Sequence, residues 1–521
     1  MADSISSLPI DDSTSSSTAS TGQRRAHGYR DILKSTALIG SATAINIGIG
    51  IIRTKAMAML LGPAGYGVMG TFGQITDLAR TVAQLGINSS GVRQIADAVA
   101  SNDQRHIART VHVLRFVSIA CALIGAAGLA IFAKPIAALT FGSADHASAM
   151  WWLALAVFFG LITGGQGALL QGMRRIPEMA KLAVIGGLMG LVIGVPLVYF
   201  YGSTGIAPSL TASAACLALA SWWYTRRIKL DRPAMKLVEI LKESGTLFKL
   251  GLAFLVSGFL MQGAAYVVRI VILQHDGADA AGFYQAAWTL GGLYAGVVLQ
   301  ALGTDFYPRL VGVAHSNEEC NRTINEQAQI SLLLAIPGLV ATISLAPLVI
   351  TLFYSEAFHA SVEILRWICI GMALRVFIYP VGYLVVARNK QVLFFLMDAA
   401  WCVANVLLTW WLVDWIGTMG AGLAYAASYG LHALLVYFAA RKLSDFQWSR
   451  STFRTACYGA STVTVAFFAV EILPPIWAYI VAIGVTMLCS IVSLRSLLEL
   501  VSPQRQTGAL RYLLKLGKVI S

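Results

Sequence analysis

The sequence predicts an all-α polytopic membrane protein with about fourteen transmembrane helices. They form two pseudo-symmetric six-helix lobes plus two extra C-terminal helices. Three observations predict this. Of 521 residues, 57% are hydrophobic and only 12% charged, against about 25% charged in a soluble protein, and mean hydropathy is +0.70. Fourteen stretches approach the roughly 20 apolar residues that cross a bilayer. A pattern in Ile51–Phe72, with Arg53 and Lys55 inside an apolar run, returns 216 residues later in Tyr266–Gln285, where Arg269 takes the place of Arg53.

Along the chain, residues 1–28 are Ser/Thr-rich, carry Asp11, Asp12, Arg24 and Arg25, and predict a disordered cytoplasmic tail. The first thirty residues hold no continuous apolar core, so no cleavable signal peptide is expected and the first span stays inserted. The N-lobe, 29–227, has spans near 35–61, 66–88, 112–133, 150–171, 182–201 and 205–225. Residues 228–247 form an inter-lobe linker in which Met235–Leu241 has helical apolar spacing. The C-lobe, 248–441, has spans near 248–274, 283–305, 328–353, 362–386, 392–413 and 418–440. Spans at 455–473 and 476–498 lie outside the repeat. Val92, Ile95, Ala96 and Val99 mark another interfacial helix. In the tail, 499–521, Arg511, Lys515 and Lys518 oppose Leu510, Leu513 and Leu514, which predicts an amphipathic segment on the cytoplasmic leaflet.

Orientation follows from Lys and Arg. With both termini placed inside, the inside segments hold thirty of the 38 Lys and Arg and the outside loops one, Lys134. The net charge of +13 would suit nucleic acid, but this placement assigns it to orientation and to anionic lipid heads. Outside loops do not exceed about twenty residues, which leaves no room there for a domain. Seven cysteines form no CxxC, so neither disulfides nor a metal site are expected, and Cys320 reads as a loop thiol.

The repeat extends beyond the opening pair. At an offset of 215, Tyr201–Gly205 meets Ile416–Gly420, Ser213 meets Ser428, and the turn Arg174-Arg175 meets Asn389-Lys390; Pro135 meets Pro347 at 212. Six helices per copy give both lobes the same orientation, so their pseudo-two-fold runs along the membrane normal, as in alternating-access carriers.

A charge at mid-bilayer costs roughly 2.5–3.5 kcal/mol on insertion scales, so such residues face a bundle interior or water. Arg53 lies nine residues before Gly62 and Arg269 eight before Gly277, about 14 Å below the outer turns at 1.5 Å per residue. Symmetry would set the pair face to face across a central cavity; the alternative is snorkelling to headgroups, which need not recur in both halves. Lys55 is about 200° around the helix from Arg53, so one of the two lines the cavity while the other packs between helices or snorkels. Arg375, mid-membrane, is the third cavity candidate. Asp77 and Arg80, at i, i+3, either neutralise each other or serve ion coupling. Asp305 is a helix-end partner of Arg309 or a gate residue, and Asp398 a proton or cation site or a partner to arginine. Arg115 and Arg366 read as interfacial anchors, and Trp151, Trp152, Trp222, Trp223, Trp415 and Trp477 as an aromatic belt. Paired guanidinium groups suit a diphosphate better than an organic cation. A Walker A sequence is absent, so transport would draw on an ion gradient, the cargo's gradient or its consumption outside, without a cofactor.

The first-span pattern through Gly62-Pro-Ala-Gly65-Tyr-Gly67, the following TFGQITDLARTVAQLGINSSGVRQIA, and Thr304–Leu310 (TDFYPRL) resemble the Wzx-type oligosaccharide flippases. These belong to the multidrug/oligosaccharidyl-lipid/polysaccharide (MOP) exporter superfamily. The resemblance covers essentially residues 30–498. It implies a MATE-like V of two lobes in a bacterial inner membrane. It also implies translocation of undecaprenyl-diphosphate-linked oligosaccharides for O-antigen or exopolysaccharide synthesis, through a cation-lined cavity. Some relatives carry a lysine where Lys55 stands. The implied partners are the lipid-linked oligosaccharide, the bilayer, and a polysaccharide polymerase and chain-length regulator.

Three rivals remain. A lipid II flippase also uses cavity arginines and differs by the first-span motif. A multidrug/cation antiporter would show acids in the N-lobe cavity, whereas the unpaired charges here are mostly cationic. A membrane polymerase or ligase needs an outside loop or active-site cluster that this chain lacks.

Overall fold

The computed structural model describes residues 14–500 apart from 229, 231–232 and 234; side chains are described from residue 40 on, except 246, 249–250, 252–254, 301–302, 304–305, 470–471 and 475. Among the described residues there are sixteen α-helices and two 3-10 turns, and no strand. α1 (Thr14–Gln84) climbs to a bend at Gly62 and returns. α2 (Ile87–Ala100) then lies across the bundle end with Ile95 and Ala98 buried. α3 (Gln104–Ile131) starts at Asp103, whose carboxylate accepts from the Arg105 N–H, which satisfies an orphan donor of the first turn. α4 (Ala133–Phe141), α5 (Ala147–Gly172), α6 (Ile176–Val192), α7 (Gly194–Tyr201) and α8 (Ile206–Thr225) complete the N-lobe.

The C-lobe follows the same plan: α9 (Leu237–Gly312) bends at Gly277, α10 (Asn317–Ser344) is capped by Ser316, and α11 (Ala346–Phe353), α12 (Ser361–Ala387), α13 (Gln391–Ile416) and α14 (Met419–Ser444) follow. α15 (Arg450–Ile472) and α16 (Pro475–Leu500) pack on α10. The lobes meet where α1 lies along α9.

The backbone carries the duplication. Gly62 (φ 61°, ψ −175°) and Gly277 (φ 86°, ψ −174°) bend the two long helices alike; positive φ is the conformation in which a Cβ is penalised. Gly202 and Gly417 also have positive φ, as do the non-glycine residues Arg174 (φ 55°) and Asn389 (φ 56°). All three pairs are 215 residues apart. The last two close helices with the same bonds, Arg175 N–H to Leu170 C=O at 2.8 Å and Lys390 N–H to Val385 C=O at 3.0 Å, the long-range bond of a Schellman-type C-cap.

Helix parity puts Arg174, Arg226, Arg388 and Arg441 at one end of the bundle, here called the basic end, and the bends at Gly62 and Gly277 at the other, the bent end. The outer surface is apolar over its length, with Ile131, Phe200 and Trp410 exposed, a surface area that only lipid would cover. The six tryptophans read as a belt are all exposed on it.

Among the described residues, ten helical stretches are long and apolar enough to cross a membrane. Three of them (Gly40–Gln84, Ile176–Thr225 and Leu255–Gln300) are 45 to 50 residues long and turn back on themselves. Several expectations need correction. α1 begins at Thr14, inside the expected disordered tail, because propagating an existing helix costs far less than nucleating one; residues 1–13 lie outside the described residues. The expected linker helix is no separate element, since α9 runs from Leu237 without a break into the next span. Cys320 is buried in the first turn of α10, its thiol donating to the Val313 carbonyl, and is no loop thiol. Arg366 is buried beside Glu363 rather than anchored at an interface. The amphipathic tail beyond residue 500 lies outside the described residues.

Candidate functional site

The main cavity lies between the lobes and measures about 960 Å³. One wall is the first half of α1 with α6 (Asn46, Thr54, Ala183), the other the second half of α9 with Tyr354 (Thr289, Leu293, Gln300). Gln171 and Arg174 stand at its basic end. Most of the wall is apolar, with the amide and hydroxyl groups strung along its length. Among the described lining residues none is acidic.

At the bent end the cavity is closed. Tyr66 of α1 stands edge-on to Tyr354 and Phe358 of the other lobe, at 5.4 and 5.7 Å between ring centroids. All three rings are buried. Backbones close the seam above them: a Cβ on Gly67 would strike the Ala278 carbonyl and the Gly282 N–H, and one on Gly282 the Pro63 carbonyl. Lys55 adds a polar tie, its Nζ donating to the Thr351 carbonyl at 2.7 Å. Thr351 lies in the last turn of α11, where carbonyls lack helical partners and a cation is favoured.

The second seam, between the returning half of α1 and the first half of α9, is closed down to the basic end. Gln74 donates to the Gln262 carbonyl at 3.2 Å, the Leu85–Gly86 and Gly251 backbones meet, and Arg109 of α3 pairs with Glu243 of α9 at 2.9 Å. By contrast, Ile45 on α1 and Leu293, Tyr294 and Val297 on α9 are exposed. The cavity therefore opens at the basic end, between α1 and the second half of α9.

The structure separates the cationic candidates. Lys55 faces the partner lobe, and Arg53, on the opposite side of α1, lines a pocket of about 320 Å³ between α1, α6 and α8. Asn46 and Gly50 line both pockets, which makes the smaller one a side chamber of the cavity. Small residues on α6 provide the room: a Cβ on Gly190 would lie 2.5 Å from Arg53 Nη1, and one on Gly187 would strike Asn46 Oδ1.

Arg269 is not brought opposite Arg53. It is 7% exposed and donates to Gln285 Oε1 at 3.0 and 3.3 Å and to the Ala265 carbonyl at 3.2 Å. Gln285 in turn donates to Thr289 Oγ1 at 3.2 Å, so the arginine reaches the cavity wall through one relay.

Arg375 does not line the cavity either. It lies inside the C-lobe, 5.9 Å from the Tyr429 ring, hydrogen-bonded to Tyr425 and within electrostatic reach of Asp398. His432 is near the same group, 6.0 Å from Tyr429, with its Nδ1 buried and without a partner. Asp77 and Arg80 meet at 3.8 Å, and Arg80 also donates to the Gly160 carbonyl. Asp305 lies outside the residues whose side chains are described. Among the described residues no cluster of His, Cys, Asp and Glu could hold a metal ion.

Reading the sequence missed Arg174, Asn46, Thr54, Thr289 and Tyr354. Arg174 had a signal, its place in the repeat, but it reads as a topological charge. The lone amides and hydroxyls carry no pattern that separates a cavity wall from a helix contact.

Residues 56–363 match the family model described as "Polysaccharide biosynthesis protein". The lipid III flippase of Escherichia coli (strain K12) is 24% identical over 418 residues, 78% of this chain and 96% of that protein. A Shigella flexneri protein named as an O-antigen transporter is 23% identical over 389 residues, 73% of this chain and 90% of that one. Among solved structures, the lipid II flippase MurJ in an inward closed conformation aligns with a TM-score of 0.66 at 15% identity, over 88% of this chain and 98% of that chain.

Proposed function

The chain belongs to the polysaccharide biosynthesis protein family, and from that premise we propose that it is a flippase for lipid-linked oligosaccharides. It works by alternating access and makes its cargo available for polysaccharide assembly on the far side of a bacterial inner membrane. The observation that carries this reading is the inter-lobe cavity, open beside Arg174 and closed at the bent end by groups from both lobes.

The chemistry of the cargo follows from the walls. A glycan offers hydroxyls to Asn46, Thr54, Thr289 and Gln300. A diphosphate needs cations, and Arg174 at the mouth and Arg53 in the side chamber are the nearest; guanidinium forks bind phosphate oxygens bidentately. The polyprenyl tail stays in lipid through the opening between α1 and the second half of α9. We assign the cargo as undecaprenyl-diphosphate-linked, the basic end and both termini to the cytoplasm, and the N- and C-lobes to 29–227 and 248–441. Opening the bent end requires Tyr66, Lys55 and Gly67 to leave their C-lobe partners together. Lys55, and Arg269 one relay behind Thr289, are then the cations beside the newly exposed wall. Energy coupling is assigned to the Asp398–Arg375 group in the C-lobe, where an acid and a buried imidazole share one interior.

An organic-cation antiporter fits less well, because a desolvated cation needs an acid in the wall, and among the described lining residues there is none. The test is complementation of a flippase-null strain by wild type and by Arg53→Ala, Arg174→Ala and Asp398→Asn, at matched membrane levels. Polymer restored by wild type and lost in the arginine variants supports the reading. Drug resistance without polymer in several glycan backgrounds would replace it with the antiporter.

A further inference from the structure

A second cavity, of about 760 Å³, lies between α3, α5 and α8 of the N-lobe and the chain that leaves α8 toward α9. It shares no lining residue with the inter-lobe cavity. His112 and Arg115 reach it from one face of α3 and Arg226 from the end of α8, while Ile119, Ile162 and Trp222 form its apolar side. Among the described lining residues none is Asp or Glu. Two guanidinium groups and an imidazole thus converge on one space beside an apolar slot, at the basic end.

Its depth is marked by two stacked pairs on α8. The Arg226 guanidinium sits 4.8 Å from the Trp222 ring and that of Arg227 3.5 Å from Trp223, with both rings exposed. Tryptophans in that position lie at headgroup level, so the cavity opens where lipid phosphates are.

We propose that this cavity binds the headgroup of an anionic phospholipid, with the phosphate between Arg115 and Arg226 and an acyl chain along Ile119, Ile162 and Trp222. A basic pocket between membrane helices at a basic face is the setting in which acidic headgroups bind. The site also has leverage on the transport cycle. Residues 226–236 are the covalent link between the lobes, and Arg109, one turn from His112 on α3, holds Glu243 and approaches Glu239 on α9. A headgroup seated here ties α3 and α8 to the link beside that clamp, and so holds the basic end of the second seam.

The test is native mass spectrometry of the full-length protein in mild detergent, titrated with phosphatidylglycerol and with phosphatidylcholine of the same acyl chains. Wild type is expected to take its first phosphatidylglycerol about tenfold more tightly than phosphatidylcholine, and Arg115→Gln/Arg226→Gln to lose about tenfold to thirtyfold of that affinity. Arg227→Gln, stacked on Trp223 and outside the cavity lining, serves as the control and should change it less than about threefold. Equal binding of the two lipids by wild type overturns the proposal even if the double variant fails to fold, and so does unchanged binding in a folded double variant. Displacement of the lipid by millimolar inorganic phosphate would make this a soluble-anion site, and preferential displacement by a polyprenyl diphosphate would make it a cargo site; either result overturns the phospholipid assignment.

Discussion

The Arg53 guanidinium packs against α6 because α6 has no side chain at Gly190. Gly190→Ala would put a methyl 2.5 Å from Arg53 Nη1 and push the guanidinium out, so it should reproduce Arg53→Ala without removing a charge. The loss of one charge-assisted bond, about 1.5–3 kcal/mol, corresponds to a fall in polymer output of roughly tenfold or more. Polymer quantified at matched protein level checks this, and full output from a well-expressed Gly190→Ala would put Arg53 outside the cargo path. Lys55→Met makes a different prediction. It removes the 2.7 Å bond to Thr351 and should loosen the bent end, which a spin-label pair across Tyr66 and Phe358 would report as a longer and broader distance distribution. That Arg53 and Lys55 face opposite ways was legible from their spacing alone. Which one faces the partner lobe was not, because it depends on how α1 is rotated in the finished bundle. Arg269 was legible as a buried charge, but its partner Gln285 lies across the Gly277 bend, and only the folded geometry brings it within reach.

At the scale of elements, the account rests on two bends and one close approach. Gly62→Ala and Gly277→Ala each force a Cβ into positive φ, at a cost of about 1–2 kcal/mol. Both variants should therefore melt lower by similar amounts in thermal unfolding in detergent, and a large difference between them would mean that the bends are not equivalent. Gly282→Val acts on closure instead. Its side chain meets the Pro63 carbonyl, so the bent end cannot seal; the protein should still insert and fold, yet transport less than about a tenth as much, since a barrier raised by about 1.4 kcal/mol already costs tenfold. The bends could be read from the repeat because glycine and proline punctuate a helix in the sequence itself. The same glycines divide each long helix into two spans, while α15 carries Arg450, Arg454 and six serines and threonines that weaken its apolar signal.

For the whole molecule, the duplication and the charge asymmetry together set the architecture, and both were visible before any coordinates. Two lobes with the same orientation pack along α1 and α9 and leave one seam open at the basic end and both seams closed at the bent end. The expected topology can be checked with single cysteines in a background lacking the native ones: a membrane-impermeant maleimide applied to intact cells should label Lys134→Cys and spare Arg441→Cys. The reverse pattern would invert the direction of transport. The conformation, open at one end only, was not legible, because composition and periodicity describe helices and not the angle between lobes.

The measurement that tests the central claim most directly is reconstitution of the purified protein in liposomes loaded with a fluorescent polyprenyl-diphosphate-linked oligosaccharide, followed by the fraction that becomes accessible to an external glycosidase. The account predicts that accessibility rises well above that of protein-free liposomes and that Arg53→Ala and Gly282→Val abolish the rise while leaving the protein folded. Accessibility equal to the protein-free control with correctly inserted wild type, across several glycans, would contradict it.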